Sequence, residues 1–474
     1  MQYYKKQIFL LLSTVAASGF IVNANAANWR VTPSIAVTET YTDNVDLDSS
    51  SNQGDFVTQI TPQIGIRGNG SRMNLLFSYA PNYFFYPGDD DDKHELRHSL
   101  QSSLNSELIS EKFFIDASAN ITQRFLDRRR AISSEIVSRT DNRRTVQSYQ
   151  FSPYLVHTFD AWASAQLRYT LGHVRQAADA EQTTVDTFFG NTLSHQASLS
   201  VTSGRRFSKL NWTFLTQYQT ENRENSNNYS TTTVRTDLSY QLTNIFTLLG
   251  SVGYQKRNAV GSFANFNGLT WDAGFRLVPG PRTSLSFRYG NQLRGNTFSL
   301  DAQYKITSKN VINLSYTDTI QTFQSFAFDD ISSVNLDPAL NSEFISGDLT
   351  RRKKWTLKLS GTRGRTTYNA SSFYSEYKSD NLALDEERYG GALSINRNLN
   401  SRLSIGSGLS YNLSKFASDN INDKFWSASV NMSYQLSKSL TGTLGYVHSD
   451  RDQERFGSLN GGSNYISLSI RATL

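Results

Sequence analysis

The chain has 474 residues, with 47 Lys and Arg against 41 Asp and Glu for a net charge of +6, and it has no cysteine. A disulfide framework and a lipid-modified cysteine are therefore excluded, and nothing in this near-balance of charge implies a nucleic-acid partner. A mean hydropathy of −0.47 would suit a polar soluble protein, but 24 Tyr and 29 Phe beside 3 Met and 8 Pro suit long strands better.

Lys5 and Lys6 are followed by an apolar stretch from Ile8 to Val22 and then by Ala24, Asn25, Ala26 and Ala27. This is the order of a secretory signal peptide, and the stretch is shorter than the roughly 20 residues of a membrane-spanning helix. Residues 1–26 are read as a cleaved signal and 27–474 as one domain. From there the apolar period is two. Val31, Pro33, Ile35 and Val37 alternate with Thr32, Ser34, Ala36 and Thr38. Met73, Leu75, Phe77 and Tyr79 repeat the pattern, as do Trp426, Ala428, Val430, Met432 and Tyr434. Such segments run about 9 to 12 residues, enough for a tilted strand to cross a bilayer, and about 22 of them are expected.

The connections between them alternate in length. Short ones are placed at 68–71, 159–161, 242–244, 307–310, 351–354 and 436–439. Long polar ones are placed at 43–55, 126–144, 176–191, 321–343 and 365–387, with 291–296 as the one short outer loop. The expected fold is all-β: a transmembrane antiparallel β-barrel of about 22 strands with short periplasmic turns and long extracellular loops, in the outer membrane. The loop at 321–343 carries Phe323, Phe326, Phe328 and Leu336, an apolar load that predicts folding into the mouth. Ile466, Leu468, Ile470, Ala472 and Leu474 form a final alternating segment. It resembles the C-terminal signal read by the barrel assembly machinery, with Leu in place of the usual Phe, and predicts closure on the first strand. Trp29, Tyr83, Trp212, Tyr254, Trp271, Tyr289, Trp355 and Tyr446 fall near segment ends, as interfacial girdles against lipid and lipopolysaccharide require.

If the apolar positions face lipid, the alternate ones face the lumen. Arg67, Arg72, Arg97, Arg124, Arg168, Arg235, Arg276, Arg288, Lys305, Lys358, Arg388, Arg402 and Arg471 then point inward, chiefly against Asp116, Asp237, Asp272 and Asp301. A wall with this excess concentrates anions, and Arg can fork its donors onto a carboxylate or phosphate. The alternative role for each arginine is a brace paired with a lumen acid. The acidic run Asp89 to Asp92 and the basic run Arg351 to Lys354 are read as solvated. The histidines sit in no nucleophile or metal motif, so neither an enzyme, a metal nor a cofactor is expected. A TonB-type receptor carries a plug domain before its barrel, whereas the first strand here starts almost at once, at Trp29.

Trp29, Arg30, Val31, Thr32, Pro33, Ser34 and Ile35, followed by Glu39, Thr40, Tyr41, Thr42, Asp43, Asn44 and Val45, resemble the opening of the outer-membrane β-barrel family associated with PEP-CTERM/exosortase and exopolysaccharide loci. The chain is also similar to the wider β-barrel porin family of such clusters. The resemblance implies export of an extracellular polysaccharide, with periplasmic export partners. Asp43 and Asn44 are expected to shape the first outer loop by bonding their own backbone. The alternative function is a surface barrel with a closed lumen whose long loops serve as adhesin or receptor.

Overall fold

In a computed structural model the described residues are 28–47, 54–88, 93–125, 130–140, 142–177, 191–224, 227–259, 265–292, 295–322, 349–379, 385–417, 421–453 and 461–474. The signal segment, the run at 89–92 and the apolar centre of the 321–343 loop lie outside them. In chain order the strands are β1 (Asn28–Thr42), β2 (Asp55–Asn69), β3 (Met73–Phe85), β4 (His94–Ile109), β5 (Phe113–Phe125), β6 (Arg143–Phe159), β7 (Ala163–Ala177), β8 (Thr192–Ser203), β9 (Leu210–Arg223), β10 (Tyr229–Gln241) and β11 (Phe246–Asn258). They continue as β12 (Phe266–Gly280), β13 (Thr283–Asn291), β14 (Asn296–Thr307), β15 (Asn310–Gln321), β16 (Thr350–Arg363), β17 (Thr366–Ser379), β18 (Glu386–Asn398), β19 (Leu403–Phe416), β20 (Ile421–Gln435), β21 (Leu440–Gln453) and β22 (Gly461–Thr473).

Each strand pairs antiparallel with its neighbours in sequence, and β22 returns to β1, from Ser34 opposite Thr473 to Thr42 opposite Tyr465. The 22-stranded sheet therefore closes and leaves no unpaired edge, which is the condition for a sheet to stand in lipid. The two termini share one end with the short turns, the end that faces the periplasm in outer-membrane barrels. It is called the inner end below, and the opposite one the outer end.

Period-two alternation produces an inside-out protein. On β1, Val31, Ile35 and Val37 are exposed on the outer wall, whereas Ala36, Thr40 and Thr42 are buried toward the lumen. Buried Ser148, Ser152, Ser410, Asn412, Ser427 and Ser449 continue the polar interior. Trp29, Tyr83, Tyr254, Trp271, Tyr289 and Tyr446 are exposed on the lipid face, while Trp212 and Trp355 are half-buried.

Two expected connections are strands instead. The 351–354 run opens β16, and most of the 365–387 link is β17. The real turn between them is 364–365, where Gly364 adopts a φ of +59°. β17 hides because its outward positions Ala370 and Ser372 are small, so its apolar stripe is thin. Nor is 291–296 the one short outer loop, since 417–420 between β19 and β20 is just as brief.

Candidate functional site

At the outer end the chain folds back onto one side of its own wall. Residues 130–140, from the β5–β6 loop, pack against the ends of β1–β3, β5 and β20–β22 instead of projecting into solvent. Val137 is buried with Val45, Val57, Phe84, Tyr86 and Tyr465, so strands β2, β3 and β22 share one apolar plug. Ile132 is buried against Phe125 and Phe425. The plug's polar backbone is satisfied by the wall. Tyr86 donates to the Val137 carbonyl at 3.0 Å, and Arg139 donates through its backbone N–H to Val45 at 2.9 Å. Ser133 and Ser138 meet the Tyr465 hydroxyl at 3.2 and 2.9 Å.

Arginines clip the plug down. Arg143 donates to the carbonyls of Ile136 (2.9 Å), Ser138 (2.9 Å) and Glu135 (3.1 Å). Arg97 reaches the Ile136 carbonyl and pairs with Glu95, with its guanidinium 4.7 Å from the Phe84 ring centre. Arg451 holds Asp423 with two bonds, of 2.9 and 2.6 Å, and also reaches the Arg130 carbonyl. Burial pushes the Tyr86 hydroxyl up to about 12 from its ordinary 10.0, because an apolar surround penalises the phenolate. A small, partly open cleft of about 20 Å³ remains between the plug and the β20–β22 wall, lined by Asn44, Ile132, Phe425, Ser449, Arg451 and Ser463.

The two residues that flank the β15–β16 connection also turn toward other strands. Thr322 and Leu349, at the two ends of the β15–β16 connection, are buried, and Thr322 donates to Glu221 on β9 at 2.9 Å. Leu349 packs with Tyr229 and Ala259.

The basic residues named from the sequence sort by height. Near the outer end, Arg97 and Arg388 are 5% and 2% exposed, so neither presents a charge to the lumen. Arg124, also in the outer part of its strand, is half-buried. In the middle, Arg168 pairs with Asp116 at 2.7 Å, and Arg235 pairs with Asp237 at 2.6 Å and with Asp272 at 3.1 Å. Arg288 pairs with Asp272 at 2.7 Å, and Gln292 also donates to that carboxylate. These three are braces. Arg72 and Arg402 lie in inner-end turns rather than on the wall, because the strand ladder stops before each of them. Arg67, Arg276, Lys305, Lys358 and Arg471 are exposed, face the lumen by register and make no ion pair among the described residues. Arg30, not singled out from the sequence, joins them. Its signal was present in its place between outward Trp29 and Val31. The plug residues carried no such signal, since loops obey no period.

The histidines make no metal cluster among the described residues. Three bond tyrosines on the lipid face: His98 with Tyr79 (2.8 Å), His94 with Tyr83 (2.7 Å) and His195 with Tyr169 (2.7 Å).

Closure, polarity and strand number define a large β-barrel of the outer-membrane class. No protein-family model and no characterised protein matches the chain by sequence. Solved barrels match it by shape. The FrpB iron transporter from Neisseria meningitidis in its apoprotein form superposes with a TM-score of 0.57 at 11% identity, covering 94% of this chain and 81% of that one. The ferric-catecholate import receptor Fiu from E. coli K12, in its open form, gives 0.52 at 10%, covering 94% and 82%. The siderophore receptor PirA from Acinetobacter baumannii gives 0.51 at 7%, covering 94% and 80%. At such identities the likeness is one of fold.

Proposed function

We propose that this protein is an outer-membrane conduit for an acidic exopolysaccharide, narrowed at its outer mouth by the 130–140 segment. The observation that carries this reading is the balance of free charge on the lumen wall. Six exposed cations, Arg30, Arg67, Arg276, Lys305, Lys358 and Arg471, make no ion pair among the described residues. Of the lumen carboxylates, Asp116, Asp237 and Asp272 are already neutralised by Arg168, Arg235 and Arg288. A wall of hydroxyls and amides broken by free cations attracts anions and offers hydrogen bonds to sugar hydroxyls. The wall supplies both, as in Gln303 to Asn313 (3.1 Å), Gln63 to Ser78 (3.0 Å) and Ser433 to Thr443 (3.0 Å). The reading assigns no enzymatic step, metal or cofactor, and it leaves export partners to the periplasmic face.

Planar-bilayer recording of the refolded protein under a KCl gradient tests it. The expected result is a chloride-preferring reversal potential, with larger conductance once residues 133–139 are replaced by a short Gly-Ser link. A second reading is favoured by the inward packing of residues 130–140: a surface barrel with a closed lumen, in which the loops bind a partner. Silence from both proteins in the bilayer would establish that second reading over the first.

A further inference from the structure

Arg30 on β1 and Arg67 on β2 stand directly opposite each other in the ladder, both on the lumen face and both exposed. Residues so placed have Cβ atoms about 4.5 to 5.5 Å apart, and like charges there are destabilising. The register that forces them together is pinned from the lipid side. Trp29 lies over Gly68, where an added Cβ would come within 2.6 Å of the indole ring. Slipping either strand by one residue would turn a charged side chain into lipid. Neither arginine has a carboxylate partner among the described residues. The pair is therefore a standing site for an anion.

Its position gives it a direction. Arg30 and Arg67 each lie third from the inner end of their strands, and Arg276, Lys305, Lys358 and Arg471 also lie in the inner halves of theirs. At the outer end, by contrast, Arg97, Arg143, Arg388 and Arg451 are buried at 2% to 7% exposure and bonded within the mouth. The nearest unpaired lumen carboxylates among the described residues are Glu107 in the inner half and Asp301 at mid-strand. Asp301 is two strands from Arg276 through Ser286, and Glu107 accepts the Glu111 backbone N–H. With both counted, the free charge stays positive, six against two. The exposed lumen cations therefore gather toward the inner end, where a ligand arriving from the periplasm meets them first, whereas Arg97, Arg143, Arg388 and Arg451 at the outer end are buried.

We infer that the inner vestibule, centred on the Arg30–Arg67 pair, is the loading site for a polyanionic saccharide entering from the periplasmic side. This rests on the conduit reading and adds its direction and its first contact. The ligand class is a chain of carboxylate-bearing sugars, since one polymer can place successive charges on Arg30, Arg67 and the cations farther round the wall.

The test uses the full-length mature protein in nanodiscs, with polygalacturonate of about 20 sugars as the probe and uncharged dextran as the control. Wild type is expected to bind polygalacturonate with an affinity that falls steeply with salt, because exposed charges are screened, and to leave dextran unbound. R30Q and R67Q should each weaken binding at least fivefold and at the same time raise the unfolding midpoint slightly, by relieving the like-charge contact. The opposite signs of the two readouts separate a ligand site from a structural one. K378Q, on the lipid-facing wall near the outer end, should change neither. Unaltered polygalacturonate binding in R30Q and R67Q, or equally tight dextran binding, overturns the loading site. Conductance is scored separately. A barrel that conducts anions but fails this binding test keeps the conduit and loses the site. One that binds in the predicted way yet stays silent in the bilayer keeps the site and loses the conduit.

Discussion

Asp43, just past the end of the first strand, reaches across the closing seam to Asn464 on the last. One carboxylate oxygen accepts the Asn464 backbone N–H at 2.8 Å and the other accepts its side-chain amide at 2.6 Å. The Asp43–Asn44 dipeptide was expected to bond its own backbone. The local turn bond here is made by Thr42, whose hydroxyl accepts the Asn44 backbone N–H at 3.2 Å. Asp43 instead fastens the two chain ends together where the β1–β22 ladder runs out. Charge-assisted bonds contribute about 1.5 to 3 kcal/mol each when well buried, and this site is only part-buried. D43A should therefore cost about 1 to 2 kcal/mol, read as a lower urea midpoint for the heat-modifiable band in liposomes. Removing residues 466–474 should abolish assembly altogether, because it strips β1 of its partner in lipid. A D43A midpoint equal to wild type would show that the ladder alone holds the seam.

The plug depends on Arg143 more than on any other single wall residue, since three of its carbonyls lean on that guanidinium. Exchange for Met keeps the volume and removes every donor. The carbonyls of Ser138 and Glu135 then need water, at about 1 kcal/mol or more apiece, while Ile136 keeps Arg97, so the released loop should gain population by tenfold or more. R143M should raise single-channel conductance and the rate of small-solute uptake into liposomes. Wild-type conductance in R143M would place the barrier elsewhere, with the roots of the β15–β16 loop at Thr322 and Leu349 as the next candidates.

The architecture was legible in the sequence because lipid on one face and a wet lumen on the other impose period two wherever the chain crosses. The register that turns Asp272, Arg276 and Arg288 inward follows directly from Trp271, Phe275, Leu285 and Phe287. β17 escaped because lipid-facing Ala370 and Ser372 mimic a polar link. The mouth escaped for a different reason. Val137, Tyr86 and Tyr465 belong to a loop and to two strands remote in sequence, and nothing local to residues 130–140 foretells which wall will cover them. The same limit hid the pairing state of each arginine. Sequence parity put Arg67 and Arg288 on one wall, but only the fold shows the first free and the second bound to Asp272.

Alkali should loosen the plug through Tyr86. Docked, its hydroxyl is held up at about 12 against 10.0 when free, and the neutral form is the one that donates to Val137. A raised acid constant of this kind stabilises docking fully below pH 10 and loses that contribution as pH climbs from 10 through 12. The loss is on the order of 2 to 3 kcal/mol. Conductance should therefore rise across that window in wild type. Y86F, which cannot ionise, should open slightly at neutral pH for want of the bond and then show no alkaline step. An identical alkaline step in Y86F would assign it to another group.

The last prediction separates brace from selectivity. R235Q with R288Q, and R276Q with K358Q, each remove two positive charges from the same wall. Simple electrostatics therefore expects both double variants to move the reversal potential toward cations, with the shift fading at high salt. Their costs in stability should differ. Asp272 is almost wholly buried and takes bonds from Arg235, Arg288, Ser251 and Gln292. Depriving it of both guanidinium groups leaves a buried carboxylate poorly compensated. Such a loss ranges up to about 3 to 5 kcal/mol for fully buried pairs, and about 2 kcal/mol is expected here because both arginines are 27% exposed. Arg276 makes one bond, to Ser286 at 3.2 Å, and Lys358 none among those described, so their replacement should leave the urea midpoint within about 0.5 kcal/mol of wild type. Equal destabilisation by the two pairs would show that the inner cations are braces as well. A wild-type pore that already prefers cations would go further, since the free positive charge of the inner half would then be neutralised by acids of the outer loops. In that case the acidic-polysaccharide reading loses the charge on which it stands.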